Sequence, residues 1–379
     1  MEKICKRCVM DTTDPTIRFD NKGYCNHCRQ ILLDYNMPPF SFSKQEKEIE
    51  LQKIISSIKE EGIENKYDCL IGVSGGVDST YVAYLVKMYG LRPLAIHLDN
   101  GWNSELAEHN IQNLINKLQI DFKRIKVDPA EFRDLQLAYL KASVVDLEVV
   151  SDNLIHVIFS RLCKKYKVKY FINGCNYATE AILPKPWIAE CKYDGLNIRS
   201  IYKKFGSKKA LITYPTFSFW EALAYTMKLS YMKQFAILNY VDYNKEKVKE
   251  LIQKELGWVD YGGKHFESII TRFYQAYILP EKFNIDKRKA HYSSLICSNQ
   301  LSRDIALKML KEPLYEKDLF VNDKKFFLSQ MGLTETEFTA LMNLPIKEHT
   351  FYPSYTVVLK RLLKIGAFIK KKLRLRIKK

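Results

Sequence analysis

The stretch LIGVSGGVDSTYVAYL, residues 70–85, decides the fold. A short apolar run ends at Ser74-Gly75-Gly76, and apolar residues resume at helical spacing from Val77 onward. A strand that turns through glycines into a helix start is an anion-holding geometry, because the first-turn amides and the helix dipole point at the ligand. Gly75 and Gly76 admit close backbone approach, and Ser74 and Ser79 add hydroxyl groups. No lysine follows as in GxxxxGK[ST], and GxGxxG is not matched either. Asp78 would repel a phosphate unless Mg²⁺ lay between them, so a metal-bridging role is expected there. On Ser-Gly-Gly alone, an ordinary glycine-rich turn is an equal alternative.

Outward from this loop, short strand-like runs alternate with helical stretches. DCLIGV (68–73), RPLAIHLD (92–99), FKRIKV (122–127) and KYFING (169–174) read as strands. Residues 78–90, 104–118 and 152–167 between them read as helices. This repetition predicts an α/β fold, a parallel sheet with helices on both faces, whose ligands lie at the carboxyl ends of the strands. Those ends fall at Ser74, Asp99 and Asn173, so the three loops should converge.

The expected organisation is a cysteine-rich module over 1–40, a linker helix over 41–66, a nucleotide domain over 67–216, a mostly helical region over 217–349 and a basic tail over 350–379. The linker is expected to place Ile49, Ile54, Ile55 and Ile58 on one face.

Of nine cysteines, four form two CxxC pairs, Cys5/Cys8 and Cys25/Cys28. Two knuckle-like turns with four thiolates suit a closed, structural, tetrahedral Zn²⁺ site, with an iron–sulfur cluster as the minor alternative. His27, inside the second pair, is read as a bystander. Scattered remaining cysteines and the lack of an apolar leader point to a cytoplasmic protein.

Net charge is +17, which invites a nucleic-acid reading, but more than half of it sits in the last thirty residues. From Thr350 onward there are ten Lys or Arg and no Asp or Glu. This tail reads equally as a helix on an anionic membrane surface, which would make the protein peripheral at the inner face, or as a frayed terminus; an RNA arm comes third. Every apolar run is interrupted by charge before it reaches membrane-spanning length.

The stretch 260–296 follows two glycines with Lys264 and adds Lys282, Lys287, Arg288 and Lys289 amid aromatic residues. Such cations suit phosphate groups, although composition alone favours a solvated face.

The six residues SGGVDS (74–79) resemble the pyrophosphate loop of the N-type ATP pyrophosphatases, which cleave ATP between its α and β phosphates and place AMP on a substrate oxygen. The resemblance implies that Ser74, Gly75, Gly76, Val77, Asp78 and Ser79 hold the pyrophosphate half of ATP. It also implies that Leu98 and Asp99 hold the adenosine and that Asn173 and Gly174 close on the nucleotide.

Four separated motifs extend it: CKRCVMDTTDPTIRFDNKGYCNHC (5–28), KASVVDLEVVSDN (141–153), GGKHFES with TRFYQ (262–275) and IDKRKAHYSSLI (285–296). Together they resemble the N-acetyl sugar amidotransferases of the WbpG and PseA type, up to about residue 320. Such enzymes turn an acetamido group of an activated sugar into acetamidino, through an adenylylated imidate and ammonia, for surface polysaccharides or flagellar glycans. The implied roles are catalysis by Asp78, Lys264, His265 and Glu267, an ATP contact from Lys287, and substrate contacts from Asp146, Glu148, Asp152, Arg272 and Gln275. ATP and Mg²⁺ are the implied cofactors beside structural Zn²⁺.

No glutaminase motif is recognisable: the chain starts Met-Glu-Lys, and Cys175 lacks the glycine after it that a glutaminase elbow needs. A separate glutaminase subunit and a cyclase-like ammonia-channelling subunit are therefore expected as partners, with a nucleotide-linked N-acetyl sugar as substrate. Nucleic acid is not expected. The rival is a tRNA thiolation enzyme, which shares the adenylylation chemistry but wants a sulfur-handling cysteine; here only Cys163, Cys175 and Cys191 are available.

Overall fold

The computed structural model describes residues 3–263 and 266–365. Five parallel strands form one sheet: β1 (Cys69–Gly72), β2 (Pro93–Asp99), β3 (Asp121–Lys126), β4 (Tyr170–Asn173) and β5 (Lys233–Ala236). Their order is β3-β2-β1-β4-β5. The chain therefore builds outward from β1 to β3, returns to place β4 on the other side of β1, and opens a crevice between the β1 and β4 carboxyl ends.

Before and between these strands run α1 (Asn26–Asp34), α2 (Lys44–Gly62), α3 (Val77–Met88), α4 (Glu105–Leu118), α5 (Pro129–Ala142) and α6 (Val149–Lys165). Their starts are legible in side chains. Ser43 and Glu46 close a capping box on α2, Ser104 caps α4, and Asp128 with Pro129 starts α5.

The strands alternate their burial between two faces. Cys69, Ile71, Val73, Ala95 and Ile172 pack against α2, α3, α4 and the helix Lys245–Leu256. Leu70, Leu94, Ile96 and Phe171 pack instead against Phe159, Leu162 and Cys163 of α6. Helices thus cover both faces, as the strand–helix repetition implied. A third core joins the four-cysteine module to α5 and to the helices after residue 269, around Trp102, Phe132, Trp187, Phe273 and Phe327. The cysteine module has no core of its own and is one wall of this larger one.

Two expectations need correction. The helix expected to link domains is part of the sheet's covering layer. Leu51, Ile55 and Ile58 are its buried residues, while Ile49 faces solvent, because the covering contact follows the Leu51–Ile55–Ile58 stripe. The sheet also extends past residue 216, since β5 (KQFA) pairs with β4. Its short, half-polar sequence lacks the β-branched run that marks the other strands.

Candidate active site at the carboxyl edge of the sheet

The glycine loop leaves β1 and enters α3 as its sequence implies. Gly75 has φ +79°, and a Cβ there would stand 2.5 Å from the Ala107 carbonyl oxygen, so only glycine fits between the loop and α4. Ser74 and Ser79 hydroxyls lie 3.1 Å apart, and Ser79 Oγ donates to the Gly76 carbonyl at 3.2 Å. The Gly75 carbonyl accepts from Trp258 Nε1 at 2.9 Å and from the buried Asn110 at 3.4 Å. Gly76, which has no side chain to cap with, is the N-cap of α3. The Tyr261 hydroxyl lies instead against the Val77 amide and the Glu267 carboxylate. A Cβ on Gly76 would stand 3.3 Å from both Tyr261 Oη and Glu267 Oε1, which puts these two groups over the loop.

Asp78, in the first turn of α3, accepts a hydrogen bond from the Tyr243 hydroxyl. Burial first, and then the Asp78 charge, push the Tyr243 phenol well above its ordinary range, so it remains a donor. Gly174, at the end of β4, packs on the same turn: its Cβ would stand 2.9 Å from Asp78 Cβ. Asn173 reaches sideways to Gln234 of β5 at 3.3 Å. Asp99 ends β2 and faces Arg124 at 3.4 Å, with Leu98 half-buried behind it. The loops after β1 and β4 meet, while Asp99 lies one strand further out, beyond β1.

A cleft of about 970 Å³ opens from this edge. It is lined by Val77, by the turn Cys175–Glu180 and the helix Lys287–Cys297, which meet where His291 Nδ1 lies 3.0 Å from the Thr179 carbonyl, and by Arg272 and Gln275. Glu148, Asp152 and Lys192 line it as well. Lys287 Nζ binds Glu148 Oε2 at 2.5 Å, and Gln275 donates to Glu148 Oε1 at 2.9 Å. Four residues named from sequence therefore meet: Glu148, Asp152, Gln275 and Lys287 all line the cleft. Arg272 lines it too, but its guanidinium forks onto the buried Asp323 at 2.6 and 2.8 Å. A π-helical turn, Tyr274–Ile278, follows Phe273; its Tyr274 is buried against the Asp146 amide and its Gln275 lines the cleft.

Asp146 does not reach the cleft. It is fully buried at φ +72°, accepts from the Ala189 amide at 2.8 Å, and its own amide donates to the Tyr274 hydroxyl at 2.6 Å. Expected as a substrate contact, it instead supports Lys192, whose ammonium lies 3.4 Å from Asp146 and 2.5 Å from Asp152. Burial opposes the Lys192 charge, but Asp152, Asp146 and Glu148 outweigh it and hold the ammonium protonated. Burial in turn pushes the Asp152 carboxyl up, against the pull of Lys192. Sequence reading passed over Lys192, Tyr243 and Tyr261. Each is an isolated polar residue whose role exists only through a partner at least forty positions away, or through the loop it covers. Lys264 and His265 lie outside the described residues, and Glu267 is the member of that trio with a described position.

The four paired cysteines are fully buried, with their sulfurs all within 4.8 Å of one another. Cys5 and Cys28 sulfurs are 3.9 Å apart, and Cys8 and Cys25 sulfurs 3.7 Å. A tetrahedron with Zn–S bonds of ~2.3 Å has edges of about 3.8 Å, so the cluster is compatible with zinc. Backbone amides of Arg7, Cys25 and Met10 point at these sulfurs at 3.2–3.5 Å, the surroundings thiolates need. His27 pairs with Asp14 at 2.6 Å and is not in the cluster. The module braces the cleft. Val9 amide donates to Ser293 at 3.1 Å, Arg303 grips the Cys5 carbonyl at 2.9 Å, and Asp34 accepts from Tyr177 of the turn after β4.

Two family models match segments that both contribute residues to this cleft. Residues 50–170 match the family model of NAD synthase, and residues 267–365 match that of the LPS biosynthesis protein WbpG-like C-terminal domain. A tRNA(Ile)-lysidine synthase of Chlamydia felis (strain Fe/C-56) is 26% identical over 127 residues, 32% of this chain. The match takes in 37% of that relative, so the chain spans little more than a third of its length. The NH3-dependent NAD synthetase of Campylobacter jejuni subsp. jejuni NCTC 11168 is similar at 12% identity and a TM-score of 0.33, over 81% of this chain and 99% of that one. The NMN synthetase of Francisella tularensis follows at 17% identity and 0.28, over 60% and 90%. The glycine loop thus lies in an NAD synthase-type segment and Arg272, Gln275 and Lys287 in a WbpG-like segment, and the two matches together support a WbpG-type N-type ATP pyrophosphatase.

Proposed function

We propose that the protein is an ATP-dependent amidotransferase that converts the acetamido group of a nucleotide-linked N-acetyl sugar into acetamidino, in the synthesis of surface polysaccharide or flagellar glycan. The observation that carries this reading is the composition of the cleft. Val77 of the glycine loop, Glu148 and Asp152 come to it from the NAD synthase-type segment, and Arg272, Gln275 and Lys287 from the segment similar to the WbpG-like domain.

The chemistry explains why an adenylylating site suits this substrate. An amide oxygen is a poor leaving group until it is phosphorylated. Attack of that oxygen on the α-phosphorus forms an O–P bond as the bond to pyrophosphate breaks. Ammonia then adds to the amide carbon, the C–O bond breaks with AMP as leaving group, and a proton is lost to give the amidine. Gly75 lets the loop lie against α4 and Gly174 lets the turn after β4 rest on the first turn of α3, and the carboxylate of Asp78 would hold Mg²⁺, which offsets charge on the departing pyrophosphate. Lys192, kept protonated by its acidic neighbours, presents a cation on the cleft lining. Glu267, beside the loop, is the described carboxylate best placed to accept the ammonia proton. Lys264 and His265 are assigned on sequence alone. Ammonia is supplied by a separate glutaminase acting with a cyclase-like channelling subunit.

The second reading is sulfur transfer to adenylylated tRNA, for which the similarity to a tRNA(Ile)-lysidine synthase supports the tRNA but not the sulfur. Burial pushes the thiols of both Cys163 and Cys191 up to about 12, which leaves Cys175, on the cleft lining, as the one nearby candidate to carry sulfur.

AMP release from Mg-ATP with ammonium, measured across nucleotide-linked and free N-acetyl sugars and bulk tRNA, separates the two. Stimulation by one sugar, with its amide oxygen replaced by nitrogen in the mass spectrum, is the expected result. Stimulation by tRNA alone would replace the amidotransferase with the thiolation reading.

A further inference from the structure

The C-terminal helix leaves the body of the protein with a face of aliphatic and basic side chains that no other described residue covers. Its start is fixed: Asp194 accepts from Ser354 Oγ at 2.6 Å and from the Tyr355 amide at 2.8 Å. Leu359, 4% exposed, packs with Phe217 and Ala222 and anchors the first turn. Past that point exposure rises. Val358, Arg361 and Ile365 fall on one side of the helical stretch 356–365, pointing outward, with Val357 and Lys364 flanking them.

Trp220 lies beside this helix. Its ring is 5.2 Å from Phe219, which in turn stacks edge-on at 5.2 Å against Tyr355 at the helix start. Trp220 is 73% exposed, whereas Trp102, Trp187 and Trp258 are 1%, 1% and 3% exposed. Met227 and Leu229, just after the Trp220 helix, are also exposed. The acidic groups nearby are already engaged. Glu190 pairs with Lys360 at 2.5 Å, and Glu221 closes the capping box with Ser218 at 2.8 Å. The sequence continues over 366–379 with seven more Lys or Arg and no acid.

We propose that the surface built by Trp220 and the helix 356–365 docks the protein on an anionic lipid surface. Aliphatic side chains interleaved with cations suit the boundary between headgroups and acyl chains, and an exposed Trp is the side chain most at home there. A partner made of RNA would engage the cations but leave Val358, Ile365 and Leu229 in water. No helix among the described residues is long and apolar enough to cross a membrane, so contact is in the plane of the surface.

Trp220 makes the test direct, since the other three tryptophans are buried. Full-length protein is mixed with phosphatidylcholine vesicles with and without phosphatidylglycerol, and both flotation and tryptophan emission are followed. Binding only to the anionic vesicles is expected, with a blue shift and quenching by brominated acyl chains, both weakening as salt rises. Trp220→Ala removes the shift. Arg361→Gln with Lys364→Gln lowers the partition coefficient about tenfold or more, while AMP release is unchanged. Absence of flotation with anionic vesicles at low salt would overturn the proposal, as would flotation in which the Trp220 emission stays unshifted and unquenched. Retention of the protein by RNA with no vesicle binding would assign the cations to nucleic acid instead.

Discussion

Gly174 and Asp78 are packed so closely that a Cβ on the glycine would stand 2.9 Å from the aspartate's Cβ and 3.2 Å from its backbone carbon. The turn after β4 therefore rests on the first turn of α3, and the position of the one sets that of the other. Gly174→Ala must push the two apart by a few tenths of an ångström. A fall of about tenfold to a hundredfold in kcat/KM for AMP formation is expected, with a stability loss of about 1–3 kcal/mol. An unchanged rate would show that this contact does not position the phosphate loop. Asp78→Asn keeps an acceptor for Tyr243 and should leave the circular dichroism spectrum intact while AMP formation drops by two orders of magnitude or more. Full activity in that variant would remove Asp78 from the metal-bridging role.

Lys192 holds two carboxylates together, one of them fully buried. Lys192→Met leaves Asp146 and Asp152 facing each other without a cation. A loss of about 3 kcal/mol in urea unfolding at neutral pH is expected, with part of it restored by adding Asp152→Asn. If the double variant were no more stable than the single one, the charge argument would fail.

The cysteine cluster should bind a single zinc per chain, read by elemental analysis of purified protein. Cys8→Ala should abolish it and lower the thermal midpoint, because the module shares its core with α5 and the C-terminal helices. Iron in place of zinc, with visible absorbance, would reassign the site.

His156 makes a pH prediction. Burial pushes its imidazole down to about 4, and its Nδ1 meets the Tyr225 hydroxyl at 2.6 Å. The unfolded chain therefore takes up a proton near the ordinary histidine value of ~6.5 before the native state does. Stability is intact above that pH and is lost as pH falls toward 4. His156 accounts for about 2 kcal/mol between pH 7 and pH 5. His97 and His349 are shifted the same way by burial, so His156→Gln should flatten this slope without abolishing it. Identical slopes in the variant and the parent would mean that His156 is not the titrating group.

Tyr243, in the site, and Glu131, in the surrounding fold, show why such contacts escaped the sequence. Neither carries a local pattern. Tyr243 matters because it reaches Asp78 from 165 positions away, and Glu131 because its carboxylate gathers the amides of Thr213 and Tyr214, both at 2.7 Å. Ile49 is the opposite failure. It fits a helical stripe, yet tertiary contact selected the Leu51 stripe beside it. Asp146 has the right neighbourhood and the wrong depth, since a loop residue's burial depends on what later chain folds over it.

By itself the sequence determined what is local: the turn from β1 into α3, the strand–helix alternation, the two CxxC knuckles and the caps that start the helices. Backbone sterics, periodic burial and ligand spacing act within some twenty residues and so can be read along the chain. Only the tertiary structure decided which side of β1 receives β4, the pairing of Lys192 with Asp146 and Asp152, and the docking of the cysteine module behind the cleft helix Lys287–Cys297. Those contacts join residues tens to hundreds of positions apart, and their energies depend on burial that no segment has until the others are in place.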